Sequence, residues 1–217
     1  MRFDLIIFDC DGVIADSEIL SAEVLIAQLA DLGIVVTPDD VRRDFLGRSF
    51  PTVAAGIRAR SGRPLPDDFE ASYRARLMER FEADLKETPG FSAMLAGLGR
   101  RCCVATSSSP PRVARTLAVL GLQEAFGAHV FTASEVARGK PAPDLFLHAA
   151  VRMQASPDRV LVIEDSPPGL EAARAAGMAV LHYGGGAHLA GIAPPAGAQS
   201  FDDWTCLGAI LAQLEAS

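Results

Sequence analysis

Two aspartates one residue apart follow the first apolar run of this chain: Asp9-Cys10-Asp11-Gly12-Val13 comes directly after Leu5-Ile6-Ile7-Phe8. Extended residues two apart face the same way, so both carboxylates can enter one crevice while Cys10 turns into the core. Two carboxylates that close repel, and at least one takes up a proton unless a cation stands between them. A hard divalent ion with oxygen ligands, Mg²⁺, is the natural partner. A polar turn that merely ends a strand would use the same residues.

Three more stretches hold reactive groups, each where an apolar run ends or a helix begins. Thr106-Ser107-Ser108-Ser109 offers hydroxyls and free amides at a helix entrance, which suits a phosphate oxygen or a helix cap, with Ser109 expected as the cap. Lys140, in Gly139-Lys140-Pro141-Ala142-Pro143, puts one ammonium on a backbone stiffened by prolines; it can offset charge on a phosphoryl group and a carboxylate, or simply lie in solvent. Glu164-Asp165-Ser166 follows Val160-Leu161-Val162-Ile163, and adjacent acids at the end of a buried strand are costly to ionise without a partner such as a metal.

The elements that must carry these groups alternate between strand and helix. Leu5 to Phe8, Cys102 to Ala105 and Val160 to Ile163 read as strands buried on both faces, with Val130-Phe131 and Ala179 to Leu181 as weaker ones. Ser109-Pro110 and Gly121 bracket one helix, and Ser166-Pro167 and Gly177 another; Pro143 opens a third that runs to about Gln154. The pattern predicts an α/β fold: a parallel sheet with helices on both faces, whose ligands gather beyond the carboxyl ends of the strands. Residues 17–87 break the rhythm. Ile19, Leu20, Val24, Leu29 and Leu32 recur at helical spacing, Thr37-Pro38-Asp39-Asp40 starts a second helix, and further helical patterns run over 50–60 and 67–85. The expectation is an all-helical cap at 17–87, inserted after the first strand into a core made of 1–16 and 88–217. Residues 194–200 read as a loop.

Composition removes several classes of function. The 217 residues are 49% hydrophobic and 22% charged, ordinary for a folded domain with a real core. A net charge of -7 argues against nucleic-acid binding. Four cysteines without a CxxC pair fit reduced thiols in a cytoplasm better than zinc or a disulfide framework. No apolar run approaches the ~18 residues of a membrane span, so neither membrane nor nucleic acid is expected as a partner.

Acid pair, hydroxyl, lysine and acid pair, in this order and each at a strand's end, resemble the motifs of the haloacid dehalogenase superfamily over nearly the whole chain. The resemblance implies a Rossmann-like core and a phosphatase of small phosphorylated metabolites, working as a monomer or weak homo-oligomer. Asp9 would be the nucleophile and Asp11 the acid and base; Thr106, Ser107 and Lys140 would bind the phosphoryl group. Mg²⁺ would be held by Asp9, the Asp11 backbone and Asp165, with Glu164 nearby. Residues 12–16 would match the segment that lets the cap open and close.

Within the superfamily the chain is similar to the group of beta-phosphoglucomutase and phosphoglycolate phosphatase, and Asp16-Ser17-Glu18 makes it most like 6-phosphogluconate phosphatases. A phosphosugar mutase is the alternative, but Ser21 and Phe50 stand where the mutase places a histidine and an arginine. A non-catalytic metabolite-binding protein is a further alternative. Arg48 suits a substrate carboxylate or phosphate, or is an ordinary surface arginine. His129, His148, His182 and His188 show no ligand spacing and are expected in structural or surface roles. Trp204 is expected to pack near the C-terminal helix, and Gly184-Gly185-Gly186 to be a flexible turn.

Overall fold

The computed structural model describes residues 2–45 and 47–216; Met1, Leu46 and Ser217 lie outside them. In chain order the elements are β1 (Leu5–Phe8), α1 (Glu18–Asp31), α2 (Pro38–Asp44), α3 (Phe50–Ser61), α4 (Phe69–Asp84), α5 (Phe91–Gly97), β2 (Cys102–Thr106), α6 (Pro110–Val119), α7 (Gln123–Phe126), β3 (Val130–Thr132), α8 (Asp144–Arg152), β4 (Val160–Glu164), α9 (Pro167–Ala175), β5 (Ala179–Tyr183), β6 (Ser200–Phe201) and α10 (Leu207–Ala216). The six strands form one sheet in the order β3-β2-β1-β4-β5-β6, and every pairing is parallel.

β1 is a strand because its four residues are β-branched or large and apolar, and both of its faces are covered. Ile6 and Phe8 pack into a cluster with Phe91 and Trp204, while Leu5 and Ile7 pack into one with Phe146 and Val162. The winding of the sheet reverses at β1, which lies between β2 and β4. Phe8 pairs with Val104 on one side and Ile163 on the other, so the residues just past all three strands come together at a topological switch point.

The helices α1 to α4 lie between β1 and β2 and have their own buried cluster, which includes Leu29, Ile57, Leu77 and Phe81. The ingoing and outgoing segments run side by side: Ala15 bridges to both Asp11 and Glu87, the Asp16 amide donates to the Lys86 carbonyl, and the Thr88 amide donates to the Ile14 carbonyl. α2 starts as expected, with a reciprocal capping box between Thr37 and Asp40.

Two expectations need correction and one is refined. α1 buries Ser21, Leu25, Gln28 and Leu29, and Leu20, Val24 and Leu32 pack against the same cluster, whereas Ile19 is 40% exposed. Polar residues can face inward here because they find partners: Ser21 Oγ donates to the Ser17 carbonyl and Gln28 Nε2 to the Phe69 carbonyl. The supposed loop at 194–200 runs into an edge strand, since Ser200 and Phe201 pair with His182 and Tyr183. Two residues are too short a run to carry periodicity. Ser109 occupies the N-cap position of α6, yet its hydroxyl accepts from Arg74 on α4 and caps nothing.

Trp204 packs as expected, stacked on Tyr183 at 4.2 Å with its indole N–H donating to Thr88. Among the described residues no helix is long and apolar enough to cross a membrane.

Candidate functional site

Asp9 leaves β1 with its amide donating to the Ile163 carbonyl, and the residue is 5% exposed. Lys140 reaches it from the connection between β3 and α8. The Lys140 ammonium donates to Asp9 Oδ1 and Glu164 Oε1, both at 2.7 Å, and to the Ala105 carbonyl at 3.2 Å. Burial alone would strip this ammonium of its proton, but Asp9 and Glu164 outweigh it and hold the lysine charged. The second Glu164 oxygen accepts from the amide and the hydroxyl of Ser166. α9 makes room for that carboxylate with Gly169, where a methyl group would fall 1.8 Å from Glu164 Oε1.

Asp165 comes within reach of the same cluster. Ligand oxygens of Asp9, Glu164 and Asp165 all lie within 4.8 Å of one another, and all three residues are buried. Burial drives the Asp9 carboxyl well above its ordinary range; Lys140 opposes this, and Glu164, Asp165 and Asp11 add to it. Asp165 is raised in the same direction by burial and then by Glu164. Four buried carboxylates here (Asp9, Asp11, Glu164, Asp165) meet two cations, Lys140 and Arg112, which leaves a shortfall of two positive charges when all are ionised. Asp165 Oδ2 is buried and has no hydrogen-bond partner among the described residues. Hard oxygen donors and a deficit of two charges fit a divalent cation such as Mg²⁺.

Asp11 is held differently. One oxygen accepts from Ser17 at 2.6 Å and Arg112 at 2.7 Å, and the other from Ser108 at 2.5 Å. Burial pushes this carboxyl up, but Arg112 and the two hydroxyls outweigh it and leave Asp11 below its ordinary value. Arg112 had no role in the sequence reading, and Ser108 stood there only as one hydroxyl of the stretch 106–109. Arg112 offers no local signal, because its partner Asp11 is 101 residues away and its other partner, Ser21 on α1, is 91 residues away.

Asp9 and Asp11 open onto a cavity of about 710 Å³ between the sheet's end and the helical insert. Thr106, Ser107, Arg48 and Phe50 also line it, whereas Lys140, Glu164 and Asp165 do not. Thr106 is buried with its hydroxyl accepting from the Ser108 amide, and Ser107 donates to the Gly47 carbonyl. Arg48 is exposed, in the connection between α2 and α3. Glu18, at the start of α1, lines the cavity too; burial first, and then Asp11, push its carboxyl up to about 8.

Of the four histidines, His148 pairs with Glu135 and the ring of His182 lies beside Ser200. The side chain of His188 is only 6% exposed, and its Nε2 comes within 2.9 Å of Asp165 Oδ2. In the glycine run before it, expected to be a flexible turn, close packing requires Gly185 and Gly186. A methyl group on Gly185 would fall 2.3 Å from the Asp202 carbonyl, and one on Gly186 2.7 Å from the His188 ring.

The family of haloacid dehalogenase-like hydrolases matches residues 3–177 of this chain. The 6-phosphogluconate phosphatase of Escherichia coli (strain K12) is 26% identical over 183 residues, covering 84% of this chain and 83% of that protein. Fructose-1-phosphate phosphatase YqaB of the same organism is 33% identical over 181 residues, covering 82% and 94%. A conserved haloacid dehalogenase-like protein of unknown function from Agrobacterium tumefaciens str. C58 superposes with a TM-score of 0.81 at 34% identity, over 98% of this chain and 99% of that one.

Proposed function

This chain belongs to the haloacid dehalogenase-like hydrolase family, and on that premise we propose that it is a Mg²⁺-dependent phosphatase of a small phosphorylated metabolite, acting through an aspartyl-phosphate on Asp9. One observation carries the reading. The Asp9 carboxylate lies where three strands end, bound to a charged lysine, grouped with two further carboxylates and open to a cavity large enough for a small metabolite.

In this reading an Asp9 oxygen attacks phosphorus and the P–O bond to the leaving alcohol breaks, which divides hydrolysis into two easier steps. Lys140 stands beside the attacking carboxylate and offsets charge on the transferring group; Thr106 and Ser107, in the cavity wall, hold its oxygens. Mg²⁺, held by Asp9, Asp165 and the Asp11 backbone with Glu164 beside them, would supply Lewis-acid neutralisation of the phosphoryl charge. Asp11 gives a proton to the leaving oxygen and later takes one from the attacking water. Its present partners keep it ionised, so the proton reaches it only once Arg112 lets go. Arg112 also donates to Ser21 of α1, so movement of the insert changes what Asp11 is bonded to. On this basis the helices over 17–87 act as a cap hinged where Asp16 meets Lys86 and Ile14 meets Thr88.

Two packed side chains favour hydrolysis over mutase chemistry. Ser21 is already committed to Ser17 and Arg112, and Phe50 stacks on Tyr73 at 5.3 Å. Neither can do the work of the histidine and arginine of a mutase. Arg48 at the cavity wall suits a second anionic group, such as the carboxylate of 6-phosphogluconate. The relatives named as sugar-phosphate and sugar-acid phosphatases support that substrate class. Four free cysteines suit the reducing cytoplasm.

The test is release of phosphate from an aryl phosphate and from a panel of sugar and organic-acid phosphates, with and without Mg²⁺. Metal-dependent turnover is expected. No turnover across the panel would assign the cavity to binding alone. A beta-hexose 1-phosphate converted to its 6-phosphate faster than to free phosphate would assign the chain to the mutases.

A further inference from the structure

His188 lies in a short turn after β5, 23 residues beyond Asp165 in the sequence. Its side chain is 6% exposed, and neither ring nitrogen has a hydrogen-bond partner among the described residues. The acceptor it faces, Asp165 Oδ2, is equally unpartnered, and the two atoms are 2.9 Å apart without the alignment of a hydrogen bond. Buried donors and acceptors left unmade are expensive, so two orphans at this distance have one evident use for each other.

The surrounding backbone is built to admit the ring. A methyl group on Gly12 would fall 2.1 Å from Asp165 Oδ2 and 2.8 Å from the His188 ring. One on Gly186 would meet the ring at 2.7 Å and the Gly12 carbonyl at 2.9 Å. Two glycines from distant parts of the chain thus leave the space in which imidazole and carboxylate meet. The turn itself is pinned, because the Ala187 amide donates to Asp16 and the Gly184 amide to the Phe201 carbonyl.

We propose that His188 is a positioning residue of the cation site, holding the Asp165 carboxylate through Oδ2 so that it is oriented before a divalent cation arrives. The inference rests on the reading of Asp9, Glu164 and Asp165 as a cation site. A carboxylate fixed in advance loses less freedom on binding, and partners behind a metal ligand typically contribute ~10–100-fold in affinity.

Mn²⁺ serves as the probe, its binding to the full chain followed by loss of the free-ion EPR signal. Wild type, His188→Ala, His188→Gln and Asp165→Asn are compared after each is shown to melt cooperatively without metal. His188→Ala is expected to weaken Mn²⁺ binding ~10–100-fold, and His188→Gln, which keeps an N–H donor, to recover part of the loss. The apparent KM for Mg²⁺ in turnover should rise in the same order. Wild-type affinity in His188→Ala, or a glutamine variant no better than alanine, would overturn the role while leaving the cation site intact. A nitrogen hyperfine coupling from imidazole bound directly to Mn²⁺ would overturn it too, by making His188 a ligand. Absence of Mn²⁺ binding in wild type, or unchanged binding in Asp165→Asn, would instead sink the cation site itself.

Discussion

Asp9 and Asp40 are both aspartates with almost no exposed surface, at 5% and 7%, yet the protein treats them in opposite ways. Asp40, in the first turn of α2, receives the amide and hydroxyl of Thr37 and the guanidinium groups of Arg43 and Arg60. Those bonds, led by the one from Arg60, hold its carboxyl well below the usual range. Asp9 has a single cation and three acidic neighbours, and burial drives its carboxyl well above that range. A carboxylate that serves only the fold has its donors supplied by the chain. Asp9, the proposed nucleophile, is left short of positive charge, a shortfall that a cation and a phosphoryl group would use.

The two sites therefore contribute to stability with opposite signs. Asp40 is depressed on folding, so its contribution is present above the ordinary carboxylate range and is lost as pH falls through its folded value. Asp9 and Asp165 are raised on folding, so the metal-free protein binds their protons tightly and loses stability as rising pH ionises them.

The sharpest way to break the contrast is Asp9→Asn. Phosphate release should fall by ~10⁴-fold or more, while the metal-free melting temperature should not fall, because one like charge leaves a crowded cluster. Near-normal turnover would remove Asp9 as nucleophile. Asp11→Asn comes next, with turnover expected to drop ~10²–10⁴-fold and Mn²⁺ affinity largely retained; a wild-type rate would end its acid-base role.

A third test supplies the missing charge. Mg²⁺ at 100 times its dissociation constant should stabilise the protein by about 2.7 kcal/mol, seen as a rise in melting temperature that Asp165→Asn abolishes. Asp40 needs no such help, and Asp40→Asn should leave the Mg²⁺ shift unchanged. Thr37→Ala probes the satisfied site directly: loss of the cap on α2 should cost about 1 kcal/mol by denaturant unfolding, with Mg²⁺ affinity unaltered.

The last test concerns Glu18, whose burial at the cavity wall raises its carboxyl from 4.5 to about 8. A raised acid favours the fold fully below its unfolded value and loses that contribution as pH climbs through the folded one. Glu18→Gln should therefore gain on wild type as pH rises between those two values, read as a widening gap in metal-free melting temperature. A gap that stays flat across that window would show that Glu18 is well solvated.

What could be read from the chain were features whose cause lies within a few residues. Four apolar residues in a row made β1, Thr37 and Asp40 made a capping box, and the acids after β1 and at the end of β4 stood where those strands had to stop. Once the strands were placed in a parallel sheet, the general rule for such sheets already brought Asp9, Thr106 and Asp165 to one side.

Other features needed the folded molecule. Nothing near Arg112 announces Asp11, nothing near His188 announces Asp165, and Ser200-Phe201 becomes a strand only because β5 offers a free edge. Spacing in α1 showed a helix and most of its packed face, but not that Ser21 and Gln28 also turn inward, to partners that other elements supply. The sequence by itself determined which groups could act and which segments would carry them. Tertiary structure decided which charges meet, because long-range pairing depends on strand order and on the packing of the insert, and no local pattern encodes either.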